Sequence, residues 1–266
     1  MKVDLNVAEL IEHKILKDVE HPKRVIIMLH GIGQHAGYME EAGKAFSDKM
    51  QDTLVVMPEA PIKMKYSAEK VARVREKYDP EFDPTKARSW FRTETYKWPA
   101  MSLRLVFNAL TVVNQVNMLA DHYRDKYGLE DKDIAFFGMS QGGAIALYAA
   151  IARVKACAAV VCHSGMFFGF ARTKSKPDVL MITGEKDDYL CDNKSKMKSF
   201  FVAPENSLRR LKRRGIPVKE LWLEDLGHEM TDESIAKATD FMCDAFKVPA
   251  NDVAPRKPEP KPLEMA

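Results

Sequence analysis

Gly138-Met139-Ser140-Gln141-Gly142 constrains this chain more than any other stretch. The pattern G-x-S-x-G suits a sharp turn from a strand into a helix, with the serine in strained backbone geometry and its hydroxyl clear of the sheet. Glycines on both sides let the two arms of backbone approach closely. The flanking sequence supplies both arms. Asp133 to Phe137 reads as a short buried strand, and Gly143 to Arg153 as an alanine-rich helix. G-x-S-x-G also occurs in ordinary turns, so the strand and helix give the motif its weight.

A serine is a poor nucleophile without a base, and the base needs a third group to fix its tautomer. Two regions downstream offer partners. Val179 to Thr183 is a β-branched apolar run ending in Gly184-Glu185-Lys186-Asp187-Asp188, which places acids just past the carboxyl end of a strand. Val218 to Glu224 reads as a last strand, followed by Leu226-Gly227-His228-Glu229. His228 is the better base of the two histidines after Ser140. His163 directly follows the strand Ala158 to Cys162 and reads as a structural histidine beside the sheet. Taken singly, Asp187 also fits a solvated turn carboxylate and His228 a helix-entry histidine; an ordered set of three is harder to dismiss.

The segments His30-Gly31-Ile32-Gly33, Trp90-Phe91, Gly138 to Gly143, Gly184 to Asp187 and Gly227-His228 follow one another along the chain. In this it resembles the carboxylesterase, lysophospholipase and acyl-protein-thioesterase group of the α/β-hydrolase fold, over about residues 23 to 246. The resemblance implies Ser140 as nucleophile, Asp187 as the orienting acid and His228 as base. It implies an oxyanion hole made of the backbone N–H groups of Ile32 and Gln141. The reaction it implies is hydrolysis of a carboxylic ester or thioester through an acyl-enzyme, without a cofactor. The substrate would be a small ester, a lysolipid or an acylated protein. An amidase or peptidase on the same triad, and a non-catalytic binding protein on the same fold, are the alternatives.

The chain departs from the family pattern in several places. Gln34 stands where Asp is usual after His-Gly-x-Gly, and Arg92 follows the Trp-Phe pair. Thr183 replaces a His before the acid segment, and Tyr189-Leu190 replaces Val-Pro after it, so Asp188 rivals Asp187 as the acid. Lys63 to Ala87 forms a charged insertion, helical over Ser67 to Tyr78 and placed to act as a partial lid. Cys191 to Pro204 lengthens another loop. Trp90, Phe91 and Met166, with Phe167 and Phe168, are candidates for an apolar acyl pocket or, equally, for core.

A competing motif overlaps the first segment. Gly31-Ile32-Gly33-Gln34-His35-Ala36 fits G-x-G-x-x-A between the strand Arg24 to Leu29 and the helix Met39 to Met50, and Glu59 follows the strand Thr53 to Met57. That imitates a dinucleotide-binding unit and, with it, an oxidoreductase. The signal is weak by itself, and Glu59 sits between Pro58 and Pro61 in a turn that need not face a ribose.

Composition bounds the rest. With 266 residues and 46% hydrophobic content, the chain can bury one large core. Alternating strands and helices argue for a three-layer α/β sandwich with a mostly parallel sheet and helices on both faces. The domain is expected over 23–247, after a lead-in of 1–22 and before a Pro- and Lys-rich disordered tail of 248–266. A long helix, Met101 to Tyr127, carries a spiralling apolar face. No signal-like or membrane-spanning run is present, and four cysteines at unrelated spacings suit reduced thiols, which together point to a cytoplasmic protein. Cys157 and Cys162 are expected on opposite faces of one strand. His228-Glu229-Met230-Thr231-Asp232 starts like a zinc motif but ends in Asp, so no metal is expected. A net charge of +3 is too small to imply nucleic acid. The cluster Arg209, Arg210, Lys212, Arg213 and Arg214 suits the carboxyl end of a helix, with weak membrane-surface contact as a secondary reading. A monomer or a homodimer is expected.

Overall fold

The computed structural model describes residues 10–77, 79–92, 100–169, 172–191 and 203–248, without the side chains of 100–108 and 191. The expected tail, apart from Val248, and much of the 191–204 loop thus lie outside the described residues. The apolar runs become strands β1 (His13–Ile15), β2 (Arg24–Leu29), β3 (Thr53–Pro58), β6 (Ile134–Met139), β7 (Ala159–His163), β8 (Asp178–Gly184) and β9 (Val218–Leu223) of one seven-stranded sheet. Its order is β1-β3-β2-β6-β7-β8-β9, parallel except for β1, which runs antiparallel to β3. β1 corrects the expected lead-in: part of the segment before residue 23 is an edge strand, with Lys14 opposite Met57. Three residues, none of them buried, carry too short a pattern to be read from sequence.

Helices α1 (Glu40–Lys49), α3 (Ala100–Lys126), α4 (Gln141–Ala152), α6 (Pro204–Arg213) and α7 (Asp232–Ala245) cover both faces. Because side chains alternate along a strand, each strand feeds two cores. Val25, Ile27, Leu29, Ile134 and Phe136 pack with Val113, Val116 and Leu119 of α3, with α4, and with Leu208 and Leu211 of α6. Ile26, Met28, Ala135, Phe137 and Met139 pack with Phe46 of α1 and with Ile235, Ala238 and Met242 of α7. The result is the three-layer sandwich that the alternation of elements implies. Cys157 lies before β7, and both it and Cys162 belong to the α4-side core, so the expectation of opposite faces fails.

β6 occupies the middle of the sheet, and α4 lies on it with Gln141 through Ile151 all buried. Small side chains make that possible, since Ala144, Ala146, Ala149 and Ala150 let the helix axis sit close to the strands. The insertion forms a hairpin, β4 (Ile62–Lys63) paired with β5 (Arg88–Ser89), and between these strands lies the wholly surface-lying helix α2 (Ala68–Lys77). The hairpin docks on the loop after β2: Gly33 donates to Arg88 O at 2.7 Å and Arg88 N–H donates to Gln34 O at 3.0 Å.

Candidate active site

Ser140 sits between β6 and α4 with φ 55 and ψ −117, a conformation that L residues rarely adopt. The turn is held shut by backbone contact. A Cβ on Gly138 would lie 2.3 Å from Gly142 O, and one on Gly142 would lie 2.3 Å from Leu29 O and 2.4 Å from His30 O. The serine's own N–H donates to His163 O at 2.8 Å on the neighbouring strand.

Ser140 Oγ lies 2.9 Å from His228 Nε2, and His228 Nδ1 lies 2.8 Å from Asp187 Oδ2. Asp187 is fully buried, and its other oxygen accepts the N–H groups of Tyr189 (3.0 Å) and Leu190 (3.1 Å), capping the short helix α5 (Asp188–Cys191). A carboxylate only accepts, so His228 must hold its proton on Nδ1, and its Nε2 lone pair faces the serine hydroxyl. That arrangement can draw a proton from Ser140. Asp188 is exposed, whereas the neighbouring Asp187 receives the histidine N–H.

The loop after β2 abuts the turn: a Cβ on Gly31 would lie 3.6 Å from Ser140 Cβ. Ile32 N–H meets no acceptor among the described residues, and Gln141 N–H belongs to the open first turn of α4. Both donors are therefore free to receive a developing negative charge. The loop itself is rigid. His30 is buried, donates from Nδ1 to Gly31 O (2.8 Å) and accepts the Ala60 N–H at Nε2 (3.1 Å). Burial pushes its pKa down to about 4. Gln34, standing where the family has Asp, accepts the Gly31 N–H at 2.7 Å. These bonds also bear on the dinucleotide motif. The N–H groups of Gly31 and Gly33 are already taken, and Glu59 accepts the Ala36 N–H at 3.1 Å. The 31–36 segment is closed by protein groups and leaves no phosphate cradle.

Of the five residues offered for an acyl pocket, Trp90, Phe91 and Phe167 are core. Trp90 is fully buried, its indole N–H donates to His30 O at 2.7 Å, and it lies under the loop after β2. Met166 and Phe168 are half-buried on the loop beyond β7. Their large rings gave an equal expectation either way, and the central sheet takes them.

The side chain of Gln141 was not legible as functional. Its Oε1 accepts the N–H of Trp90 (2.8 Å) and the hydroxyl of Ser89 (3.2 Å), and its Nε2 donates to Phe91 O (3.1 Å). A lone amide opening an apolar helix was the available signal. Gln141→Ala keeps the backbone N–H but strands the buried N–H of Trp90, at a cost of about 1–3 kcal/mol, while Phe91 O keeps the Ser89 hydroxyl at 2.7 Å. Its urea midpoint should fall accordingly; an unchanged midpoint would mean that water replaces the amide.

His163 is a second such residue. Its backbone O holds Ser140, while its Nε2 lies 2.9 Å from Ser234 Oγ at the start of α7, just past the His228 loop. Ser234 gives its one hydroxyl proton to Thr231 O, so His163 Nε2 is the donor in that contact. Burial pushes the His163 pKa down to about 4, and the nearby His228 lowers it further against the pull of Asp187. His30 and His163 therefore share a pH signature. Above their ordinary value of 6.5, both rings are neutral, folded or unfolded. Between that value and about 4, the unfolded chain takes up protons that the buried rings refuse. Stability should fall with pH across this window, by on the order of 3 kcal/mol per ring at its lower end. Urea unfolding at several pH values tests it; a midpoint that stays level across the window would contradict the burial of both rings.

A parallel sheet with a strained serine turn at its centre, and an acid and a histidine from the next loops, defines an α/β hydrolase. The chain belongs to the phospholipase/carboxylesterase family, whose pattern it matches over residues 89–243. Among solved structures, it is similar to esterase PE8 with a TM-score of 0.68 at 23% identity, covering 89% of this chain and 99% of that one. A carboxylesterase of Bacillus cereus gives 0.64 at 17%, covering 90% and 96%. SOBER1 from Arabidopsis thaliana gives 0.61 at 18%, covering 84% and 98%. At these identities the likeness is one of fold. No curated protein matches the chain. Among the described residues, no helix is long and apolar enough to cross a membrane.

Proposed function

We propose that the protein is a serine hydrolase of carboxylic esters or thioesters that works through an acyl-enzyme. The hydrogen-bonded series Ser140–His228–Asp187 on a strained turn is the observation that carries this reading. In it, His228 Nε2 takes the hydroxyl proton as Ser140 Oγ attacks the acyl carbon, and Asp187 stabilises the imidazolium that forms. The N–H groups of Ile32 and Gln141 receive the oxyanion. Collapse of the intermediate breaks the bond to the leaving oxygen or sulfur, which departs with the proton from His228. Water then attacks the acyl carbon and gives its proton to the same nitrogen; the acyl–Oγ bond breaks, Ser140 Oγ takes that proton back, and the acid is released. The free, buried thiols of Cys157, Cys162 and Cys243 accord with a reducing compartment, hence the cytoplasm.

The test is to react the protein with a fluorophosphonate and with a slowly deacylating ester, then locate the adduct by peptide mass. Adducts at Ser140 that require His228 support the reading. Ester turnover with no modification of Ser140 would remove it.

A further inference from the structure

Among the described residues, five large apolar side chains are exposed, and two of them stand at the site, Ile32 on the loop after β2 and Tyr189 on α5. Tyr189 is 63% exposed, yet it is not loose. Its N–H donates to Asp187 Oδ1, and its ring stacks on His228 with centroids 4.8 Å apart and planes 26° from parallel. An exposed aromatic residue is thus tied to the acid by its backbone and to the base by its ring.

We propose that Tyr189 is the platform for the leaving group. It selects esters or thioesters whose departing alcohol or thiol is uncharged and carries an apolar group, aromatic above all, next to the scissile bond. The proposal rests on the hydrolase reading of Ser140 and deepens it. When the tetrahedral intermediate collapses, the bond from the acyl carbon to the leaving oxygen or sulfur breaks. That atom keeps the electron pair and takes the proton held on His228 Nε2. The leaving group must therefore lie beside His228 Nε2, and the Tyr189 ring covers the face of that same imidazole. A planar apolar group stacks there, and the ring loses little freedom because it is already held. Neighbouring charge narrows the class. The carboxylates of Asp188, beside Tyr189, and Glu229, beside His228, are both exposed, so a leaving group bearing phosphate meets like charge. The glycerophosphate end of a lysophospholipid is disfavoured on that ground.

The competing account is that the ring only steadies His228. Comparing acylation with deacylation separates the two, because the leaving group has gone before water attacks. The experiment measures kcat/KM for butyrate esters of phenol, methanol and glycerol 3-phosphate, with single-turnover deacylation of the shared butyryl-enzyme. The wild type, Tyr189→Phe and Tyr189→Ala are compared, so that the intrinsic reactivity of each ester cancels. Tyr189→Ala should lower kcat/KM for the phenyl ester about tenfold more than for the methyl ester. It should lower acylation of the phenyl ester more than deacylation, and Tyr189→Phe should restore the preference. Equal losses for every alcohol with slowed deacylation would overturn the proposal in favour of positioning. So would a wild type that prefers the glycerophosphate ester. Either result leaves the hydrolase reading standing, provided that a fluorophosphonate still labels Ser140. Absence of both labelling and turnover in the wild type would remove that reading and the proposal together.

Discussion

Ser140→Ala is expected to lower ester turnover by about 10⁴–10⁶-fold, because the residues of a triad act as a unit and the nucleophile has no stand-in. The fold should survive. Ser140 Oγ gives up only its bond to His228, while the backbone bonds from Ser140 N–H to His163 O and from Ala144 N–H to Ser140 O remain. Alanine keeps a Cβ and hence the strain of φ 55, so its thermal midpoint should stay close to the wild type. Ser140→Gly should be as inactive but slightly more stable, since glycine adopts that φ without steric cost. Turnover of a nitrophenyl ester, read beside thermal unfolding, checks both. A folded Ser140→Ala protein with near-normal turnover would end the hydrolase reading.

Gly142→Ala should do comparable damage by a different route. Its methyl would meet Leu29 O at 2.3 Å and His30 O at 2.4 Å, and both are backbone atoms that no rotamer change can move. Either α4 or the end of β2 must shift, and these carry the N–H groups of Gln141 and Ile32. Loss of one oxyanion donor costs about 10²–10³ in rate, and either shift takes the two N–H groups out of register with each other. Overpacking against backbone should also cost on the order of 3 kcal/mol or more. Gly128→Ala is the control. Gly128 has φ +65, but a methyl there meets nothing within 4 Å, so only backbone strain is added. Wild-type activity in a folded Gly142→Ala protein would mean that the oxyanion donors lie elsewhere.

Much of this was legible in the sequence because burial and periodicity coincide in the central strands. β2 ends where its apolar run does, at Leu29, and begins one residue before it, at Arg24, and the strand-turn-helix context of Ser140 is as the motif requires. The choice of Asp187 over Asp188 was legible only as the register of the Gly-x-x-Asp pattern, which left Asp188 a rival. It depends on which carboxylate turns inward, and that is set by the cap of α5 and the approach of the His228 loop. The roles of Gln141 and His163 depend on partners 51 and 71 residues away, contacts that no local pattern encodes. Trp90 shows the reverse problem. A large aromatic beside a cleft and one beneath it read alike, and only the bond from its indole to His30 O separates them.

His163 ties Ser140 on one side and the start of α7 on the other, across a wide gap in the chain. Ser140 and His228 are 88 residues apart. At the usual pace of synthesis, about 5–20 residues per second, the serine emerges roughly 4 to 18 s before its base. β2, β3, β6 and β7 can already have paired by then, so the nascent chain holds a strained serine with nothing to deprotonate it. Docking of α7 against β7 completes the catalytic set, and it is among the last long-range events the chain can make. If Ser140 and His228 act as proposed, newly made protein stays inert towards esters until its carboxyl-terminal helix is seated, and the appearance of activity reports the end of folding.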